Sequence, residues 1–139
     1  MSETFADKVK ALNLPLDQII VIGSGILDQL GIRPAGDVDL AASSDLMKKL
    51  SEESSDWSKK FGYNQRFYFV KDDHSAEVWD GWVFDGQAVS YDDLLDYAVE
   101  YDGVRFVNLE FLYQWKKWRS REKDVQDVKL IDEWRANNE

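Results

Sequence analysis

Four consecutive β-branched residues, Ile19-Ile20-Val21-Ile22, stop at Gly23-Ser24-Gly25. A strand with one wet face alternates apolar and polar side chains, because successive side chains point to opposite sides of the sheet. This run does not alternate. It predicts a strand covered on both faces, so the rest of the chain must supply apolar material for two sides of a sheet. Phe5, Val9 and Leu12 recur at helical spacing and predict a short first helix ending near Asn13-Leu14-Pro15. Ile26 to Leu30 is helix-compatible, and Gly31 ends it. Phe111, Trp115 and Trp118 share a helical face, as do Val125, Val128 and Ile131. Residues from about 109 to 136 are therefore expected to form helices, with a break near Ser120.

The remaining strands follow from alternation and turns. Asp37-Val38-Asp39-Leu40-Ala41 alternates and predicts a second strand; Ser43-Ser44-Asp45 then caps a helix to about Leu50. Ser51 to Lys60 is polar and reads as surface. Arg66 to Val70 is strand-like, Lys71 to His74 is a turn, and Ala76 to Trp79 pairs back. Trp82-Val83-Phe84 and Gln87-Ala88-Val89 flank Asp85-Gly86, a tight hairpin. Ser90-Tyr91-Asp92-Asp93 matches a capping box, predicting a helix to about Tyr101. Asp102-Gly103 turns into the strand-like Val104 to Val107, and Asn108 caps the C-terminal helical stretch. Strands interleaved with helices, several of them hairpins, predict an α+β class: a mixed sheet flanked by helices, one domain over 1–139, with the C-terminal helices packed on it.

Charge narrows the function. Twenty-seven acids against 17 Lys and Arg give a formal charge of −10 over 139 residues. Bulk DNA binding and anionic membrane surfaces both need clustered Lys and Arg, so neither is expected. Six Trp in a 14% aromatic chain exclude a disordered acidic tail. No cysteine means no disulfide scaffold, thiol nucleophile or Cys-based zinc site. The start, Met1-Ser2-Glu3-Thr4, lacks a basic and apolar leader, and no apolar run approaches ~18 residues. A soluble, cytoplasmic protein is the expectation.

Asp37 and Asp39 stand at i and i+2 on the second strand, so both carboxylates face one way while Val38 and Leu40 face the core. Two carboxylates on a rigid face repel unless a cation lies between them. Hard oxygen ligands suit Mg²⁺ or Mn²⁺, which takes one or two carboxylates together with substrate phosphates. The Gly23-Ser24-Gly25 turn supplies a complementary half: glycine lets backbone N–H groups approach a phosphate, Ser24 adds a hydroxyl, and a helix start favours negative charge. A dinucleotide fingerprint does not fit, because Asp28 stands where its third glycine should be and the acids open the next strand. A Walker loop fails for want of Gly-Lys-Ser/Thr.

The string hydrophobic-Gly23-Ser24, then Asp37-Val38-Asp39-Leu40 twelve residues on from Gly25, resembles the signature of the nucleotidyltransferase superfamily with the DNA polymerase β-like fold. Arg33-Pro34-Ala35-Gly36 ahead of the acids resembles its small bacterial members, the AbiEii-type and minimal nucleotidyltransferases. Lys116, Arg121-Glu122-Lys123-Asp124 and Asp127 are similar to the Lys…Arg-x-Lys-Asp-x-x-Asp helical region of that group. The resemblance implies a third carboxylate within hydrophobic-acid-hydrophobic; Ala76-Glu77-Val78 fits, with Asp80 the competitor. It implies Asp37, Asp39 and Glu77 as catalytic metal ligands, and Gly23, Ser24 and Gly25 around the triphosphate. Arg33 or Lys116 would then neutralise the departing pyrophosphate. The reaction implied is Mg²⁺- or Mn²⁺-dependent transfer of a nucleoside monophosphate from a nucleoside triphosphate to an acceptor: a small molecule, a protein or an RNA end.

Each feature has an ordinary explanation as well. The glycines serve a strand-to-helix turn, the aspartates are solvated acids, and His74 is a surface loop residue. Phe111, Trp115 and Trp118 are core. Lys116 and Lys117 are a solvated helix face, and Lys123 with Asp124 is a helix start or a surface ion pair worth under about 1 kcal/mol. The alternative function is an inactive module of the same fold that binds nucleotide or a partner protein.

Overall fold

The computed structural model describes residues 3–53, 56–62 and 66–138. Seven strands form one mixed sheet: β1 (Ile19–Ile22), β2 (Val38–Ala42), β3 (Trp57–Phe61), β4 (Phe67–Lys71), β5 (Ala76–Trp79), β8 (Ala98–Tyr101) and β9 (Val104–Val107), ordered β3-β4-β5-β2-β1-β9-β8. The two remaining strands, β6 (Gly81–Phe84) and β7 (Gln87–Ser90), make a separate hairpin. β1 runs antiparallel to β2 and parallel to β9, and β2 runs parallel to β5. As the unbroken apolar run requires, β1 is interior and all four of its residues are buried.

Its side chains divide between two cores. Ile19 and Val21 enter the larger one with Phe5, Val9, Ile26, Leu27, Leu40, Phe106, Leu112 and Ile131. Ile20 and Ile22 enter a smaller one with Ala41, Tyr91, Leu94 and Val107. The larger core draws on α1 (Phe5–Lys10), α2 (Gly25–Gln29) and α3 (Ser44–Glu53); the smaller on α4 (Tyr91–Leu94) and the β6–β7 hairpin, through Trp82 and Val89. α5 (Leu109–Arg119) serves both, with Leu112 in one and Phe111 against the other, and α6 (Glu122–Asn138) adds Ile131.

Helix starts match their capping residues. Thr4 and Ser90 each form a capping box, and Asn108 Oδ1 accepts from the Phe111 N–H at 2.7 Å. Ser43 Oγ accepts from Leu46 N–H at 3.2 Å. Ser120 takes left-handed backbone (φ 56°) and separates α5 from α6, where the break was expected. Among the described residues, no helix is long and apolar enough to cross a membrane.

Two expectations are corrected. The helix expected from Ser90 to Tyr101 stops after one turn and a 3₁₀ turn at 95–97; Ala98–Tyr101 is β8. A capping box sets only where a helix starts, whereas Asp102 (φ 54°) and Gly103 (φ 83°) form a two-residue turn that folds β8 onto β9. β3, which begins within the polar Ser51–Lys60 stretch read as surface, is an edge strand in which Trp57 is buried and the other residues are exposed, so the surface reading holds there. In α6 the buried stripe is Asp124, Asp127 and Ile131, while Val125 is exposed. Ile131 faces inward as expected, but Asp124 and Asp127, each one residue before the expected Val125 and Val128, take the rest of the stripe because cations meet them inside.

Candidate functional site

Strand register assembles the acids. The last residue of β1, Ile22, stands beside Asp39 on β2, and Asp39 stands beside Glu77 on β5. Val38 and Leu40 are buried on the opposite side, which turns the Asp39 carboxylate away from the larger core. Asp37 lies one residue ahead of β2 and is exposed. The turn leaving β1 closes over this group. Gly23 has φ +69°, a left-handed conformation that favours glycine, and a Cβ there would crowd Asp39 Oδ2 at 3.2 Å.

Gly23, Ser24, Asp37, Asp39 and Glu77 line one cleft of about 900 Å³, shared with Arg33, Lys116 and the tryptophans Trp79, Trp82, Trp115 and Trp118. Gly25 is buried beneath it. A Cβ on Gly25 would come within 2.5 Å of Phe5 Cε1 and Val21 Cγ1, so this glycine allows α2 to pack closely on the core. The helix it begins has only five residues and so offers little dipole to an anion. Of the two candidate third acids, Glu77 lines the cleft; Asp80 is exposed, pairs with Arg66 at 2.8 Å and borders a different depression with Ser44 and Met47. His74 is exposed in the β4–β5 turn, as expected.

Burial raises the Asp39 carboxyl to about 6, and the charges of Glu77 and then Asp37 push the same way, against a smaller pull from Lys123. Glu77 Oε1 accepts from Trp79 Nε1 at 3.0 Å, which orients its carboxylate. These three acids, all hard oxygen donors, are the residues that could hold Mg²⁺ or Mn²⁺. Among the described residues, no three acidic or imidazole side chains form a ready-made metal cage.

The α5–α6 junction forms the other wall; Lys117 and Lys123 are exposed as expected, but the surface readings of Lys116 and Asp124 fail. Lys116 is only 3% exposed, with Nζ 2.8 Å from Asp127 Oδ2 and 3.3 Å from Asp124 Oδ1. Asp124 also accepts from Arg121 Nε at 2.6 Å, and Asp127 from Arg33 Nε at 2.6 Å and Nη2 at 2.7 Å. Burial alone would raise both carboxyls; hydrogen bonds and charge from Arg121, Lys116 and Arg33 outweigh it and hold both below the usual range. Lys116 and Asp124 are thus interior groups, not a solvated face or a surface pair. Buried acids need such partners, because an unpaired ion inside costs several kcal/mol.

No known family model matches the chain, and no curated protein or solved structure matches it either. What the cleft can do is therefore read from its own side chains. Six Lys or Arg line it (Arg33, Arg66, Lys116, Arg119, Arg121, Lys123) against three acids, in a chain whose net charge is −10. Among the described residues, Arg119 and Lys123 have neither ion pair nor hydrogen bond from their side chains and are available to an anion. Arg119 was not singled out from the sequence, since one more cation at a helix end carries no local signal. Lys123 stood in the Arg-x-Lys-Asp run but read as surface. Trp79 and Trp82 were assigned only to strands; their place on the cleft wall depends on β5, the β6–β7 hairpin and α5 meeting.

Proposed function

We propose that the chain is a Mg²⁺- or Mn²⁺-dependent nucleotidyltransferase that moves a nucleoside monophosphate from a nucleoside triphosphate to an acceptor, releasing pyrophosphate. The observation that carries this reading is the register of Asp39 against Glu77 beneath the Gly23-Ser24 turn, in a cleft otherwise rich in cations. Asp37, Asp39 and Glu77 would hold the divalent ion, which would supply the charge neutralisation that in-line phosphoryl-type transfer needs. Gly23 and Ser24 hold the triphosphate, and Arg119 and Lys123 balance its charge. An acceptor hydroxyl oxygen bonds to the α-phosphorus, the bond from that phosphorus to the bridging oxygen breaks, and pyrophosphate leaves with its electron pair. The hydroxyl proton passes to the Asp39 carboxylate or to solvent. The Gly-Ser…Asp-x-Asp resemblance to the nucleotidyltransferase superfamily supports the same assignment.

The test is thermal unfolding with and without nucleoside triphosphate and Mg²⁺ or Mn²⁺, for wild type and Asp39→Asn, alongside turnover of labelled triphosphate. Ligand at 100 times its dissociation constant should add about 2.7 kcal/mol to wild type and far less to the variant. No metal-dependent shift in wild type sinks the reading. A second reading, an inactive module that binds nucleotide or a protein partner, draws on the Trp79 bond that already engages one Glu77 oxygen. Its signature is a metal-dependent shift without turnover.

A further inference from the structure

The hydroxyl of Ser24 is unusual among the helix-start hydroxyls of this chain. Ser24 precedes α2, yet its side chain makes no capping bond to that helix, unlike Thr4 and Ser90. Ser24 Oγ instead accepts from Arg33 Nη2 at 3.0 Å. Among the described residues it donates to nothing, and it lines the cleft. A hydroxyl has one proton and two acceptor lone pairs. With one lone pair committed to a guanidinium, the proton is left for a partner in the cleft, and the neighbouring cation makes the O–H a stronger donor.

Arg33 is itself fixed. Nε and Nη2 grip both oxygens of Asp127, and Nη1 donates to the Pro34 carbonyl at 2.8 Å, so the bonds to Asp127, Ser24 and Pro34 use four of its five N–H groups. Asp127 belongs to α6, 94 residues away in sequence, and is held in turn by Lys116 at 2.8 Å. The guanidinium plane, and with it the direction of the bond to Ser24, is set from α6. We propose that Asp127 is a positioning residue that acts through Arg33 to aim the Ser24 hydroxyl at a phosphate oxygen of the bound triphosphate. This rests on the nucleotidyltransferase reading and adds to it a role for a side chain that touches no substrate. The guanidinium acts here as a rigid fork more than as a charge, and a lysine at 33 cannot reproduce that geometry.

Inorganic triphosphate with Mg²⁺ is a suitable probe, because it needs no knowledge of the base. Its affinity is measured by calorimetry for wild type, Ser24→Ala, Asp127→Asn, Arg33→Lys and the doubles Ser24→Ala/Asp127→Asn and Ser24→Ala/Arg33→Lys, each checked for folding by circular dichroism. Each single substitution is expected to weaken binding roughly tenfold or more, the scale of a hydrogen bond to a charged group. Each double is expected to bind no more weakly than its weaker single, since all three residues serve one donor. Effects that multiply in the doubles, or Arg33→Lys binding like wild type, would overturn the positioning role while leaving the functional reading intact. Absence of binding in wild type overturns both. Should Asp127→Asn fail to fold, Asp127→Glu, which keeps a carboxylate for the lysine and moves the one that grips Arg33, takes its place in the cycle with Ser24→Ala, and the same outcomes decide.

Discussion

Asp39 is the residue asked to carry charge where its surroundings disfavour it. Burial and the charges of Glu77 and Asp37 raise its carboxyl to about 6, so the native state holds a proton that the unfolded chain has released. The sign comes from linkage. Between the unfolded carboxylate range near 4 and about 6, the native state binds more protons, and stability falls as pH rises through that window. Asp39→Asn removes the charge and is expected to unfold at a higher temperature than wild type above pH 6, with the difference closing by about pH 4. Thermal unfolding of both proteins across that range measures it; equal melting temperatures at neutral pH would show that Asp39 carries no such strain. That Asp37 and Asp39 share a cleft was legible from their spacing, although β2 begins at Val38 and not at Asp37 as expected. That Asp39 is the costly one was not, because Asp37 lies outside the strand and is exposed.

At the scale of elements, the α5–α6 junction has an ionic interior. Helical spacing correctly located two helices with a break at Ser120, yet of the face it assigned to α6, Val125, Val128 and Ile131, only Ile131 is buried. Periodicity weighs side chains by polarity, and Asp124 and Asp127 are inside only because Lys116, Arg121 and Arg33 meet them there. Lys116→Met keeps most of the side-chain volume and removes the shared cation. It is expected to cost about 3 kcal/mol, the loss typical of breaking a buried pair and leaving its acids under-compensated. Urea denaturation with an unchanged slope checks this, and a loss under about 1 kcal/mol would place the lysine with surface pairs. The β8 strand carries the same lesson: the capping box at Ser90 is local, whereas β8 exists because the Asp102-Gly103 turn folds it onto β9.

Over the whole molecule, two sets of carboxyls pull the pH profile in opposite directions. Asp124 and Asp127 titrate below the ordinary range, so their contribution is fully present above the unfolded carboxylate range and is lost as pH falls through their native values. Asp39 acts the other way, and general repulsion within a chain of charge −10 adds to it toward neutrality. Thermal stability of the free protein is therefore expected to peak between about pH 4 and 6, and a maximum at pH 7 or above in dilute low-salt buffer would contradict this balance. Sequence by itself determined the doubly covered β1, most turns and caps, the α+β class and the pairing of a Gly-Ser turn with two nearby aspartates. Those are local patterns, set by backbone sterics and by side-chain period. Only the tertiary structure decided that Glu77, not Asp80, joins the cleft, that Lys116 and Asp124 are interior, and that Arg33 ties Asp127 on α6 to Ser24. Each depends on register between strands or on contacts across up to 94 residues, where whether a charge is buried is settled by the partner it meets.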